Sequence, residues 1–141
     1  MDNMPIEFRS EAKANKNFDQ PWTITSGVTH SVCAIPTEFG GLGGGFSPED
    51  LFLQAAINCF IGTFKVIAKL SKMNFSELHV VGKLIVDKND QKKILMKAIH
   101  LDIFITEADR PDRLDTIVAK TIRDGFILNS IKSEITYALN P

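Results

Sequence analysis

The sequence is poor in cysteine, in tryptophan and tyrosine, and in any excess of charge. Cys33 and Cys59 are its two cysteines. They allow at most one internal disulfide, which excludes a disulfide-built scaffold. A formal net charge of −1 leaves no electrostatic footprint for nucleic acid or an anionic membrane. The opening MDNMPIEFRS lacks a basic stretch followed by an apolar run, so no signal peptide is expected. The longest uncharged run, Leu51 to Phe64, falls short of the roughly 20 apolar residues that cross a bilayer. His30, His79 and His100 fall in separate predicted strands, without i,i+4 spacing or neighbouring cysteines. No metal set follows from them, and no cofactor motif is present. The expectation is one soluble, cytoplasmic domain over residues 1–141, with its cysteines as free thiols and no nucleic-acid or membrane partner.

What is present is one dominant stretch, Phe39 to Met73, in which a glycine-rich lead-in meets a long apolar helix. Ser47-Pro48-Glu49-Asp50 is its entry. Ser47 can cap free backbone N–H groups, Pro48 fits the first helical position, and Glu49 and Asp50 complement the positive end of the dipole. The helix is expected to run to about Lys72, roughly 37 Å. Its apolar residues lie on all sides, which predicts burial all round. Around it the pattern reads as strands. Ile6 to Ala12 alternates as a half-buried strand, and Trp22 to Ile35 as a strand or hairpin bending at Gly27. His79 to Val86 and Lys93 to Thr106 suggest a long antiparallel hairpin turning at residues 87–90. Pro111 to Asp124 has helical spacing closed by Gly125, 126–131 suggests a short helical piece, and Lys132 to Leu139 a final strand. The order is α+β, with an antiparallel sheet against helices.

Cys59, near the middle of the long helix, admits two readings. Buried free cysteines commonly behave as small inert hydrophobes. A reactive thiol instead needs a cation, a hydrogen-bond donor or a helix N-terminus to favour the thiolate, and Cys59 lies too far along the helix for the last. Glu49 is the nearest acid. It precedes Cys59 by ten residues, about 15 Å along one helix axis, so the two side chains can share a site only across two copies of the chain. Glu49 as a dipole-complementing acid is the plainer alternative. Cys33, mid-strand among apolar residues, reads as core.

Gly40, Gly41, Gly43, Gly44 and Gly45 invite comparison with a phosphate cradle. A Walker loop needs Gly-Lys-Ser/Thr at the helix start, and here Gly45-Phe46-Ser47 stands instead. A connection that packs closely against a neighbour fits better. His79 and His100 have the option of facing each other across the hairpin, with a structural or surface role favoured. Trp22 and the phenylalanines read as core, since no basic residues interleave with them.

The segment Gly40 to Phe64, GGLGGGFSPEDLFLQAAINCFIGTF, resembles the signature region of the OsmC/Ohr family in its glycine-rich lead-in, its Ser-Pro-Glu helix start, the Glu49–Cys59 spacing and Phe60. Leu128-Asn129-Ser130-Ile131-Lys132 and the order of elements are similar to it as well. The resemblance implies an intertwined homodimer, with two long central helices wrapped by sheets of both chains and the site at their interface. It implies a cysteine-based peroxidase acting on organic hydroperoxides. Cys59 takes the peroxidatic place, and Glu49 that of the glutamate orienting an activating arginine. Two departures go with it. Where the family has its resolving cysteine, this chain has Gly125-Phe126, so a one-cysteine route with an external thiol as resolver is expected. Where the family has its arginine, Arg9 is the only arginine, and Lys13 and Lys16 carry charge without bidentate geometry. The alternative expectation is a non-catalytic protein that binds a small apolar ligand at the dimer interface.

Overall fold

A computed structural model describes residues 3–141, which divide into two compact units, one up to residue 51 and one from residue 52 onward. In the first unit, β1 (Glu11–Lys13), β2 (Trp22–Ser26) and β3 (Thr29–Cys33) form an antiparallel sheet in that order. The β2–β3 hairpin turns through Gly27-Val28. A two-residue turn of this hand needs φ > 0 at its first central position, and Gly27 supplies φ 61°. The glycine-rich connection then folds back along β3. Phe46 N–H donates to Val32 O and Ala34 N–H to Phe46 O, both at 2.9 Å. Backbones approach that closely only where no Cβ intervenes: one on Gly45 would lie 2.7 Å from Val32 O, and one on Gly41 would overlap Ile35 O.

The long helix α1 (Pro48–Leu70) places its first turn in the first unit and the remainder in the second. In the second unit it joins β4 (Glu77–Lys88), β5 (Ile94–Thr106), α2 (Leu114–Asp124, entered by a 3-10 turn at Pro111–Arg113) and β6 (Glu134–Asn140). Alternation along β5 turns Ile99, Leu101 and Ile103 inward, each fully buried. They pack in one cluster with Ala56, Phe60 and Phe64 of α1, Ile117 and Val118 of α2, and Leu128. Phe60 and Phe64 stack at 5.9 Å, and Phe75 meets Phe64 edge-on at 5.3 Å.

The α+β class and the long β4–β5 hairpin agree with the sequence reading, and six details differ. The N-terminal strand is confined to Glu11–Lys13, where β2 offers a pairing edge, and its residues are exposed rather than half-buried. α1 is not buried all round: Gln54, Asn58, Gly62 and Val66, at four-residue spacing, line an exposed stripe. By length and composition α1 also passes for a membrane-crossing helix, which the shorter uncharged run had excluded. Its inward side is nonetheless built into the core around β5. The sheet β4-β5-β6 is mixed, because β6 runs parallel to β5. The connection through α2 carries the chain back to the starting end of β5, and such a crossover yields parallel neighbours. Residues 126–130 form turns instead of a helical piece. His79 pairs with Phe104 and His100 with Lys83, so the histidines do not face each other.

Candidate functional site

The helix entry is built as a reciprocal cap. Asp50 N–H donates to Ser47 Oγ at 2.9 Å, while Ser47 N–H donates to Asp50 Oδ2 at 3.0 Å. This fixes the first turn and with it Glu49, whose Oε1 is buried without a hydrogen-bond partner. A carboxylate oxygen left so costs free energy on the order of 1–3 kcal/mol or more until a donor meets it. Arg9, Lys13 and Lys16 are all exposed and, among the described residues, none forms an ion pair with Glu49.

Cys59 is a free, half-buried thiol on α1. Its Sγ lies against the segment that follows α2. A Cβ built on Gly125 would stand 3.0 Å from Cys59 Sγ, 3.1 Å from Leu128 Cδ1 and 3.2 Å from Thr121 O. Thr121, fully buried beside it, spends its hydroxyl on Ile117 O at 2.7 Å. The thiol therefore is half-buried, packed against the apolar cluster and facing a residue with no side chain. Gly125 was read in the sequence as a helix terminator and, through the family resemblance, as standing with Phe126 where a resolving cysteine would be. Its place against Cys59 joins positions far apart in the chain, which the resemblance implied and no local pattern carries.

The other thiol, Cys33, is a core residue of the first unit, 3% exposed. Burial, foremost, raises its pKa; the charges of Glu49 and Asp50 add to this, and a backbone hydrogen bond at Ala34 works against it. No grouping of three metal-ligating side chains occurs among the described residues. The histidines serve the sheet surface. His79 stacks on Phe104 at 5.6 Å, and His100 bridges Thr136 Oγ1 at 2.7 Å and Asp102 Oδ1 at 3.3 Å. That last network was not anticipated, although the i,i+2 spacing of His100 and Asp102 places both on one face of β5.

The sequence profile of the OsmC-like protein family matches residues 41–140, the greater part of the chain. The chain belongs to the OsmC-like family. Solved structures agree on the fold of this OsmC-like chain. It is similar to an OsmC-like protein of unknown function from Vibrio cholerae, at 14% identity and a TM-score of 0.87, covering 96% of this chain and 99% of that one. An organic hydroperoxide resistance protein OsmC from Legionella pneumophila matches at 21% identity and 0.74, covering 96% of each chain. The organic hydroperoxide resistance protein OhrB of Bacillus subtilis matches at 18% and 0.72, covering 96% of this chain and 98% of the other. Among curated proteins, an uncharacterized protein of Acinetobacter baylyi is 33% identical over 69 residues, 49% of this chain. The match spans 48% of that relative, about half its length.

Proposed function

We propose that the OsmC-like chain is a thiol-dependent peroxidase that reduces organic hydroperoxides through Cys59. The observation that carries this reading is a free, half-buried Cys59 thiol on the long helix of a fold shared with organic hydroperoxide resistance proteins. In the reaction, the Cys59 thiolate attacks the O–O bond. A sulfur–oxygen bond forms, the O–O bond breaks, and the organic fragment leaves as an alcohol once protonated. Cys59 is then a sulfenic acid; one external thiol group forms a mixed disulfide with it as the oxygen leaves as water, and a second attacks that disulfide, leaving as the oxidised disulfide and restoring the Cys59 thiol.

Glu49 is a positioning residue in this scheme. Its buried, unpartnered Oε1 calls for a donor from outside the single chain, and a second copy that brings Glu49 to the other copy's Cys59 provides the setting. The working form is thus a homodimer with shared sites. The family profile runs across both compact units, which supports a single domain over residues 1–141. A reducing cytoplasm suits free thiols, and no cofactor enters the scheme.

The test is cumene hydroperoxide consumption with dithiothreitol as the external thiol. The unmodified protein should turn over saturably and yield a dimedone adduct on Cys59. Cys59→Ser should be inactive. Glu49→Gln should lose about a hundredfold in kcat/KM while remaining dimeric. Absence of both turnover and adduct from the unmodified protein sinks the peroxidase. One feature favours a second reading, a non-catalytic binder of small apolar ligands at the interface: position 125, beside Cys59, carries no thiol. That reading expects undiminished binding of an apolar fluorescent probe by Cys59→Ser.

A further inference from the structure

The outer face of the sheet β4-β5-β6, turned away from α1, carries a chain of polar side chains that takes no part in the scheme above. The alternation along β5 that sends Ile99, Leu101 and Ile103 into the core sends His100 and Asp102 to the opposite face. β6 lies parallel to β5 in a register that sets Thr136 directly beside His100. Thr136 Oγ1 stands 2.7 Å from His100 Nδ1, and His100 Nε2 stands 3.3 Å from Asp102 Oδ1. Asn140 Nδ2 donates to the same carboxylate oxygen at 3.4 Å, which holds the acid in place. These contacts decide where the neutral ring carries its proton. A carboxylate can only accept, so the ring N–H is at Nε2, and Nδ1 is left to accept the hydroxyl proton of Thr136. Hydroxyl, imidazole and carboxylate thus stand in the order of a nucleophile, its general base and the acid that orients the base.

We propose that Thr136, His100 and Asp102 form a second reactive site, independent of Cys59 and Glu49, that takes the acyl group of small, neutral, activated esters. Thr136 Oγ attacks the ester carbonyl as its proton passes to His100 Nδ1. A carbon–oxygen bond forms, the bond to the leaving group breaks, and His100 returns the proton to the departing oxygen. Water, deprotonated by the same nitrogen, then hydrolyses the threonine ester and releases the carboxylic acid. No electrons are exchanged, and water is the only co-reactant. The surroundings set the substrate class. Thr136 is exposed, and so is Lys83, the cross-strand partner of His100 on β4, which brings a cation to this face for the developing oxyanion. Ala98 and Ala138, beside Thr136 on β5 and β6, are small and leave room for an acyl group. Glu134, which pairs with Ala98, repels a substrate that carries a carboxylate. Val81 and Ile85 flank Lys83 on β4 and, at 47% and 43% exposed, offer apolar contact to a leaving group.

The experiment removes both thiols so that neither can take the acyl group. In the full chain carrying Cys33→Ala and Cys59→Ala, p-nitrophenyl acetate should release p-nitrophenolate and leave an acetyl group on Thr136, located by peptide mass mapping. Thr136→Val should lose that label and slow the release, while Thr136→Ser, which keeps the hydroxyl, should keep both. His100→Ala should slow acylation about a hundredfold and regain rate when free imidazole is added, which the loss of a merely structural histidine would not do. Asp102→Asn, whose amide offers Nε2 a donor and reverses the tautomer, should slow acylation about tenfold without moving the label, and Asp102→Glu should recover part of the loss. Acetyl groups on lysines or the N-terminus alone, an unchanged release rate in Thr136→Val, or no effect of imidazole on folded His100→Ala each overturns the inference. Because the thiol-free chain has no peroxidatic sulfur, these outcomes stand apart from those that test Cys59.

Discussion

At the residue scale, Cys33 gives the chain a pH dependence whose sign follows from its burial. The folded thiol holds its proton more tightly than the unfolded one, chiefly because burial disfavours the thiolate, and the nearby charges of Glu49 and Asp50 act in the same direction. Below the ordinary thiol pKa of about 8.5 both states are protonated and the full stability is present. Above it the unfolded chain releases a proton that the folded chain keeps. Stability is therefore lost as pH rises toward the raised folded value. Cys33→Ala should lower Tm at every pH through lost packing, yet flatten the decline between about pH 8.5 and the folded pKa. Thermal melts at several alkaline pH values check this. Parallel curves for the two proteins would remove Cys33 as the source.

At the scale of elements, the start of α1 rests on two short hydrogen bonds. Ser47→Ala deletes the acceptor for Asp50 N–H at a position only 6% exposed. It should cost about 1 kcal/mol, read as a lower urea midpoint at unchanged m-value. Ser47→Asp, which keeps a capping acceptor, should recover most of the loss. This cap was legible in the sequence because its chemistry lies within four residues, and so were the β2–β3 and β4–β5 hairpins, whose turns and alternation are local. The parallel direction of β6 was not. It depends on where the crossover through α2 delivers the chain, and an alternating strand reads the same in either direction. The Ile6–Ala12 alternation misled for a related reason, since period two permits a strand but only a pairing edge makes one, and β2 pairs no earlier than Glu11. In the candidate site, Cys59 and Glu49 were singled out through the resemblance to the family, while helix position and spacing alone left an inert thiol and a dipole-complementing acid open. The close contact of Gly125 with Cys59 has no local signal, because it arises only when the segment after α2 folds onto α1; the family resemblance alone implied it.

At the scale of the whole molecule, the single chain leaves too much apolar surface open. Phe8 is 92% exposed, Val28 98%, Leu42 72% and Leu70 78%, and the three-stranded sheet of the first unit has no buried residue in β1. A small three-stranded sheet that buries little is marginal in water, and large exposed apolar side chains are the material of an interaction site. The exposed stripe of α1 adds Val66, 59% exposed, on the same helix as Cys59 and the unpartnered Glu49. In the dimer proposed above, a second copy covers exposed apolar surface of this kind and sets Glu49 of one copy by Cys59 of the other. Sedimentation at micromolar concentration should then find a dimer. Because only the folded dimer buries this surface, a tenfold rise in protein concentration should add about 1.4 kcal/mol per dimer and raise Tm by a few degrees. Val66→Asp, which sets a charge in the covered stripe, should shift the protein toward a poorly folded monomer and lose peroxide turnover with it. A folded monomer in sedimentation, with a Tm independent of concentration, would separate Glu49 from Cys59 by the length of helix between them and end the shared-site account.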